Sequence, residues 1–284
     1  MTTRWTVLKL LQTTAAYLAD KGVDSPRLDA ELLLAATLDL DRVGLYVNFE
    51  RPLNADELTD YRHKVRRRAD REPVQYILGE TEFWSLPFVV SPAVLIPRGD
   101  TEVLIEEALM RLGPQNHLLD VGTGSGALAV ALAHEVADLT VTALDCSTAA
   151  LAVAADNARR HAVENRVRCV TGDLQQLPAG PFDVVVSNPP YVPTPEWETL
   201  MPEVRDYEPR LALDGGADGL DAYRQLAVQA RHVLAPGGWL LVEVGLDQSQ
   251  DVRALFRAAG LIEVTARNDY AGIPRVVSGR SDSK

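Results

Sequence analysis

Residues 118–121 run directly into Gly122-Thr123-Gly124-Ser125-Gly126, and this junction leaves the chain few folds. A short, mostly apolar run bounded by turn residues reads as a buried strand. Alternate glycines let the backbone turn tightly, adopt positive φ and approach a ligand closely. The apolar run 127–133 that follows reads as a helix reaching about Val136. A strand that passes through a glycine turn into a helix opens a βαβ unit, which belongs to sheets with parallel strands.

The pattern then repeats. Residues 139–144 form a second predicted strand, ended by Asp145, and Ser147 caps a helix over 148–161. Strands follow at 167–170 and 182–187, then a helix at 219–234, a turn at Pro236-Gly237-Gly238 and a strand at 239–244. A helix over 249–259 and two late strands, near 262–266 and 275–278, complete the chain. Such alternation predicts an α/β fold with a mostly parallel sheet covered on both faces. Ligands of such sheets bind outside the carboxyl ends of the strands, near the point where strand order reverses.

The first 72 residues read differently. Val7, Leu8, Leu10, Leu11, Ala15, Tyr17 and Leu18 fit an amphipathic helix. Ser25-Pro26 looks like an N-cap with proline at the first helical position, and Leu28, Leu32, Leu33 and Ala36 continue that second helix. Asn54 with Glu57 resembles a capping box opening a helix that runs to about Asp70. That helix carries Arg62, Lys64, Arg66, Arg67 and Arg68, with Arg71 just beyond. This run is either a solvated face or a docking face for an acidic partner or RNA. Glu72-Pro73 ends the helix, and residues 74–90 look extended, as a hairpin joining two domains. The expected layout is a helical recognition domain over 1–72, a hairpin linker over 73–92 and a catalytic domain over 93–284. At the start of the last, Asp100 or Thr101 can cap a helix running to about Leu112. The turn before it is either a site wall or an ordinary helix start.

Composition narrows the function. The net charge of −12 falls as −2 on residues 1–90 and −10 on the rest. A domain that grips nucleic acid backbone usually carries a basic face, so the charge weighs against nucleic acid as the direct substrate. No apolar stretch is long enough to span a membrane, and the first residues lack a secretory pattern, so the expected location is the cytoplasm. Cys146 and Cys169 have no metal-ligand spacing and read as two buried thiols.

Asp145 ends the second strand about 20 residues after the glycine turn, the usual place for a carboxylate that accepts from ribose hydroxyls. The cofactor is therefore a nucleoside derivative. NAD would set its pyrophosphate on the helix N-terminus. S-adenosylmethionine carries no phosphate, and Asp120, just before the glycines, would repel a pyrophosphate but could pair with an amino-acid ammonium group. That favours S-adenosylmethionine. The chemistry points to Val184-Val185-Val186-Ser187-Asn188-Pro189-Pro190-Tyr191. Three β-branched residues suit a sheet centre, and the prolines stop strand pairing and stiffen the turn. An amide that both donates and accepts, beside an aromatic ring at a strand end, suits a flat polar substrate. The plain alternative is a strand exit with a capping Asn.

Four segments resemble one family. Residues 119–126 look like motif I of class I methyltransferases, which have a Rossmann-like sheet. Asn188-Pro189-Pro190-Tyr191 resembles the N/D-P-P-Y motif of enzymes that methylate planar amino nitrogens, of adenine N6 or glutamine N5. Ile96-Pro97-Arg98-Gly99-Asp100-Thr101-Glu102 and residues 207–216 (YEPRLALDGG) are similar to segments of the HemK/PrmC protein glutamine methyltransferases. That resemblance implies methylation of the Gly-Gly-Gln glutamine of class I peptide chain release factors, with S-adenosylmethionine as donor. It assigns Asp120, Gly122, Thr123, Gly124, Ser125, Gly126, Asp145, Asp173, Leu174 and Asn188 to the cofactor. Asn188, Pro189, Pro190, Tyr191 and Arg98 go to the substrate, with Asn188, Pro189 and Tyr191 catalytic. The expected protein is a monomer, with no metal, no membrane and no direct nucleic-acid substrate. Two residues depart from the family pattern. Gly99 replaces a proline, and Leu174 stands where some members place an aromatic near the adenine. The rivals are an adenine N6 methyltransferase, an NAD-dependent oxidoreductase and a non-catalytic binding module.

Overall fold

The structure, a computed structural model, describes residues 5–282. The chain divides into two compact units. One runs to Gly79 and takes in Met201–Tyr207, and the other holds Glu80–Leu200 and continues from Glu208.

The first unit contains α1 (Val7–Asp20), α2 (Pro26–Leu38), α3 (Arg42–Val47), α4 (Ala55–Ala69) and α5 (Val74–Leu78). Leu11, Leu33, Leu34, Leu45 and Tyr61 are fully or almost fully buried in one core. The capping box of α4 is complete: Glu57 N–H donates to Asn54 Oδ1 at 2.9 Å, and Asn54 N–H to Glu57 Oε2 at 2.9 Å. Ser25 makes no side-chain cap, although Pro26 does begin α2. The extended reading of residues 74–78 is corrected, because α5 is a helix. Pro73 fixes its start, and Gly79, at φ +79°, stops it. One such turn is too short to leave a periodic signal.

The second unit begins with an antiparallel hairpin, β1 (Glu80–Phe83) and β2 (Leu86–Val89). A 3₁₀ turn, Gly99–Thr101, leads into α6 (Glu102–Leu109). Then come β3 (His117–Val121), α7 (Ala127–Glu135), β4 (Thr140–Asp145), α8 (Thr148–Arg160), β5 (Val167–Thr171) and β6 (Phe182–Ser187). The chain next supplies α9 (Pro202–Arg205) to the first unit. It continues in the second with α10 (Asp221–Val233), β7 (Leu234–Glu243), α11 (Ser249–Ala258), β8 (Ile262–Asn268) and β9 (Pro274–Arg280). The seven strands lie in the order β5-β4-β3-β6-β7-β9-β8, all parallel except β9, which is antiparallel to both neighbours. β7 starts five residues before the expected Trp239. Leu234 pairs with Phe182, and a register shift then absorbs the Pro-Gly-Gly stretch.

Side chains alternate between two cores. Val184 and Val186 join one with Leu118 and the α7 alanines, while Val185 joins the other with Leu119, Tyr223 and Phe256. Both faces of the central strands are thus covered, which is why they read as continuous apolar runs. Helix α7 is buried all round from Ala127 to Ala133, as expected of a helix apolar on every face. Among the described residues no helix is long and apolar enough to cross a membrane. Cys146 is exposed, against expectation, because it lies just past the end of β4, while Cys169 is half-buried.

The basic run of α4 is largely neutralised within its own unit. Arg67 pairs with Glu72 at 2.7 Å and Lys64 with Asp60. Arg68, at 6 % exposure, donates to Asp29 at 2.6 Å and to Glu203 of α9 at 2.9 Å. Arg71 holds the same Glu203 at 2.7 and 2.6 Å. Arg62 and Arg66 remain exposed. Burial raises the Glu203 carboxyl, but hydrogen bonds from Arg71 and Arg68 outweigh it and hold it below its ordinary 4.5.

Arg68→Met leaves the buried Asp29 without its cation and Glu203 with Arg71 alone. Breaking a buried pair in this way is expected to cost about 3 kcal/mol or more, read as a lower urea midpoint by circular dichroism. A carboxyl with a depressed pKa contributes stability above its unfolded pKa and loses it as pH falls through the folded value. The gap between wild type and variant should therefore narrow below pH 4.5, where Glu203 begins to protonate. An unchanged midpoint at neutral pH would show that this cluster does not hold the helical unit together.

Candidate active site

The first strand of the sheet, β3, lies inside it, beside the central β6. The chain moves outward from it through β4 and β5 on one side, and through β6 and β7 on the other. The connections after β3 and β6 therefore part, and a crevice opens at the carboxyl ends of the two strands. A cavity of about 340 Å³ fills this crevice, within the roughly 300–1,000 Å³ usual for small-molecule sites.

The glycine turn forms one wall. Gly122 and Thr123 N–H both donate to Leu144 O, at 2.9 and 3.0 Å, which ties the turn to the end of β4. Asp145 Oδ2 accepts from Gly124 N–H and Oδ1 from Ser147 N–H, each at 2.9 Å. Ser147 caps α8 through Ala150 N–H at 3.1 Å, as its sequence position suggests. Gly122 has φ +74°, and a Cβ built on it would meet nothing within 4 Å. The backbone here is open to whatever the cavity holds.

The Asn-Pro-Pro-Tyr turn forms the opposite wall. Ser187 Oγ donates to Val121 O at 2.7 Å, fastening the end of β6 to that of β3. Asn188 Nδ2 donates to Thr101 Oγ1 at 3.2 Å. With the nitrogen engaged, Oδ1 is the side-chain acceptor left for a ligand. Beyond the turn, Val192 N–H donates to Leu213 O at 2.9 Å and Gly215 N–H to Val192 O at 2.8 Å. The turn thus pairs with the 207–216 segment. A Cβ on Gly215 would come within 2.8 Å of Pro190 O and Tyr191 Cα, so this approach requires glycine.

Most of the expected residues meet at the cavity wall: Gly122, Thr123, Gly124, Ser125, Asp145, Asp173, Leu174, Asn188, Pro189 and Pro190. Four do not. Gly126 backs onto Ala154. Asp120 is fully buried beneath the turn, where Oδ2 accepts from Thr123 Oγ1 at 2.6 Å and Oδ1 has no partner. Burial pushes its carboxyl up to about 7, so it braces the turn rather than facing a ligand. Arg98 is committed to Glu208, itself 5 % exposed. Tyr191 packs against the second core with its hydroxyl 3.5 Å from Glu243 Oε1.

Three polar residues around the cavity escaped sequence reading. Thr101 was a candidate helix cap, but it makes no cap bond and instead accepts from Asn188. Asn157 is fully buried in α8 and donates to Ser125 O at 2.8 Å and Val89 O at 3.0 Å, joining the glycine turn to the hairpin. Glu243 closes β7 behind Tyr191. Each acts through partners far away in sequence, which no local pattern records.

Among the described residues that line the cavity none is Lys, Arg or His, while Asp145 and Asp173 both face it. A pyrophosphate would be repelled by such a wall, whereas a sulfonium and an ammonium would be favoured. The NAD alternative is set aside on that ground. This cavity, on this strand order, defines a class I methyltransferase, a class that uses S-adenosylmethionine.

Residues 9–79 match the family described as PrmC N-terminal domain, and residues 81–201 the methyltransferase small domain. The chain is 52% identical over 277 residues to a release factor glutamine methyltransferase of Geobacter sulfurreducens, covering 97% of each. It is 44% identical to one of Chlorobaculum tepidum, covering 96% of this chain and 97% of that one. In fold it resembles a methyltransferase of Pyrococcus furiosus at TM-score 0.54 and 20% identity, over 70% of this chain and 91% of that one. The chain belongs to the release factor glutamine methyltransferase family.

Gly122→Ala tests the wall directly. Its methyl group would enter the cavity, and positive φ adds roughly 1–2 kcal/mol of strain. S-adenosylmethionine affinity, by isothermal titration calorimetry, should fall by about tenfold or more while the protein stays folded. Unchanged affinity would place the cofactor elsewhere.

Proposed function

We propose that the protein methylates the side-chain amide nitrogen, N5, of the glutamine in the Gly-Gly-Gln motif of class I peptide chain release factors. It acts as a cytoplasmic monomer. The observation that carries this reading is the Asn188 side chain, whose nitrogen is engaged by Thr101 and whose oxygen is left as an acceptor at the cavity wall. The supporting likeness is to relatives named release factor glutamine methyltransferase along nearly their whole length.

An amide nitrogen is a poor nucleophile because its lone pair is delocalised into the carbonyl. A site for it must orient that nitrogen and exclude water. Asn188 Oδ1 accepts one N–H of the glutamine amide and the Pro189 carbonyl accepts the other. Two acceptors fix the nitrogen and draw on its protons, which raises its electron density. Each bond contributes on the order of 1 kcal/mol net, and more in a dry site. Pro189 and Pro190 keep the two acceptors at a set separation, and Tyr191 anchors the far end of the turn. S-adenosylmethionine supplies, when bound, an electrophilic methyl group. Gly122, Thr123, Gly124 and Ser125 would hold it with Asp145 and Asp173, and Leu174 supplies apolar contact. The amide proton departs to water.

Recognition of the protein substrate is assigned to the helical unit, residues 1–72 in the expected layout. There Arg62 and Arg66 are the members of the basic run left exposed.

A purified release factor incubated with the protein and S-adenosylmethionine should gain a single methyl group, located by tandem mass spectrometry on the Gly-Gly-Gln glutamine. Asn188→Ala should lower kcat on the order of a hundredfold with little change in cofactor affinity. Methylation of plasmid DNA or ribosomal RNA, with the release factor untouched, would overturn the reading.

A further inference from the structure

Behind the Asn-Pro-Pro-Tyr turn lies a carboxylate that the proposed chemistry does not use. Glu243 is 1 % exposed, and its Oε2 has no hydrogen-bond partner. Its Oε1 lies 3.5 Å from the Tyr191 hydroxyl. The Thr101 hydroxyl faces this carboxyl and pulls its pKa down. Thr101, 4 % exposed, in turn accepts from Asn188 Nδ2 at 3.2 Å. A carboxylate in so dry a place is costly unless its partners are well arranged.

We infer that Glu243 is a positioning residue that sets, through Thr101, which end of the Asn188 amide faces the substrate. An ionised carboxylate only accepts hydrogen bonds. A hydroxyl beside it must spend its one proton on it. The Thr101 oxygen then has only lone pairs to offer Asn188, so Asn188 must present Nδ2 to Thr101 and turn Oδ1 to the cavity. The reversed amide would set a donor against the N–H groups of the substrate. Tyr191, the second donor on Glu243, ties the other end of the same turn to the same carboxylate. The inference rests on the reading that Asn188 Oδ1 accepts from the glutamine amide.

The arrangement has a pH signature. Burial raises the Glu243 carboxyl to about 7, against the pull of Thr101, Arg275 and Tyr191 and with a push from Asp100. Tyr223 reaches the same residue from α10, donating to the Glu243 carbonyl at 2.9 Å. Once protonated, Glu243 can donate as well as accept, and the Thr101 hydroxyl is free to reverse. The rate should therefore fall as pH drops through about 7.

The test compares Glu243→Gln, Thr101→Val and Thr101→Ser, with Asn188→Ala as control, on a release factor with saturating S-adenosylmethionine. A glutamine at 243 can donate to Thr101, and a valine at 101 removes the relay at similar volume. Each should lower kcat on the order of tenfold to a hundredfold without weakening cofactor affinity. The double variant should be no slower than the worse single one, since both break one chain. Thr101→Ser should recover most of what Thr101→Val loses, and Glu243→Gln should lose the acid limb of the kcat profile. Should Glu243→Gln fail to fold, the Thr101 pair decides, because it changes no buried charge. Wild-type kcat in Thr101→Val, or additive losses in the double variant, would overturn the inference. Full activity in Asn188→Ala would instead overturn the reading on which it rests.

Discussion

The structure depends on how two adjacent parallel strands end. β3 and β6 are hydrogen-bonded side by side, and past Val121 and Ser187 their chains part. The groups left open there must find partners or meet a ligand. Ser187 Oγ closes one gap by donating to Val121 O, and Leu144 O closes another by accepting from Gly122 and Thr123. What stays open is the backbone face of the glycine turn and the acceptor side of Asn188. The sheet thereby sets a cofactor wall and a substrate wall on either side of one crevice.

Electrostatics decides what that crevice can hold. Two aspartates face it, and among the described lining residues no cation does. Asp120 and Glu243 lie just behind the two walls, and burial raises both carboxyls. Each has a threonine hydroxyl beside it: Thr123, which donates to Asp120 under the glycine turn, and Thr101, which faces Glu243 behind the Asn-Pro-Pro-Tyr turn. Each wall is thus braced by a short polar relay inside an otherwise apolar core. Placement of this kind has to be held closely, since small displacements of reacting groups cost large factors in rate.

The sheet was legible because its strands are buried on both faces. Val184 to Val186 read as one apolar run, and Ser187-Asn188-Pro189 marked its end. Helix starts were legible where a side chain closes a local ring, as at Asn54 and Ser147. Reading failed where the deciding partner is distant in sequence. Thr101 looked like a cap, but its partner Asn188 lies 87 residues on. Arg68 looked like part of a solvated or docking face, yet its partner Glu203 lies 135 residues on. Arg98 was read as a substrate contact, and in the structure it pairs with Glu208, 110 residues on. In each case local sequence identified a polar group correctly, and the fold chose its partner.

The orientation of the Asn188 amide is the point on which the chemistry turns, and its hydrogens are what must be seen. A neutron crystal structure of the protein with S-adenosylhomocysteine and a Gly-Gly-Gln peptide would show them. The expected result is Asn188 Nδ2 donating to Thr101, with the glutamine nitrogen about 3 Å from both Asn188 Oδ1 and the Pro189 carbonyl. Asn188 turned the other way, with Nδ2 in the cavity and the glutamine oxygen facing it, would contradict the proposed site.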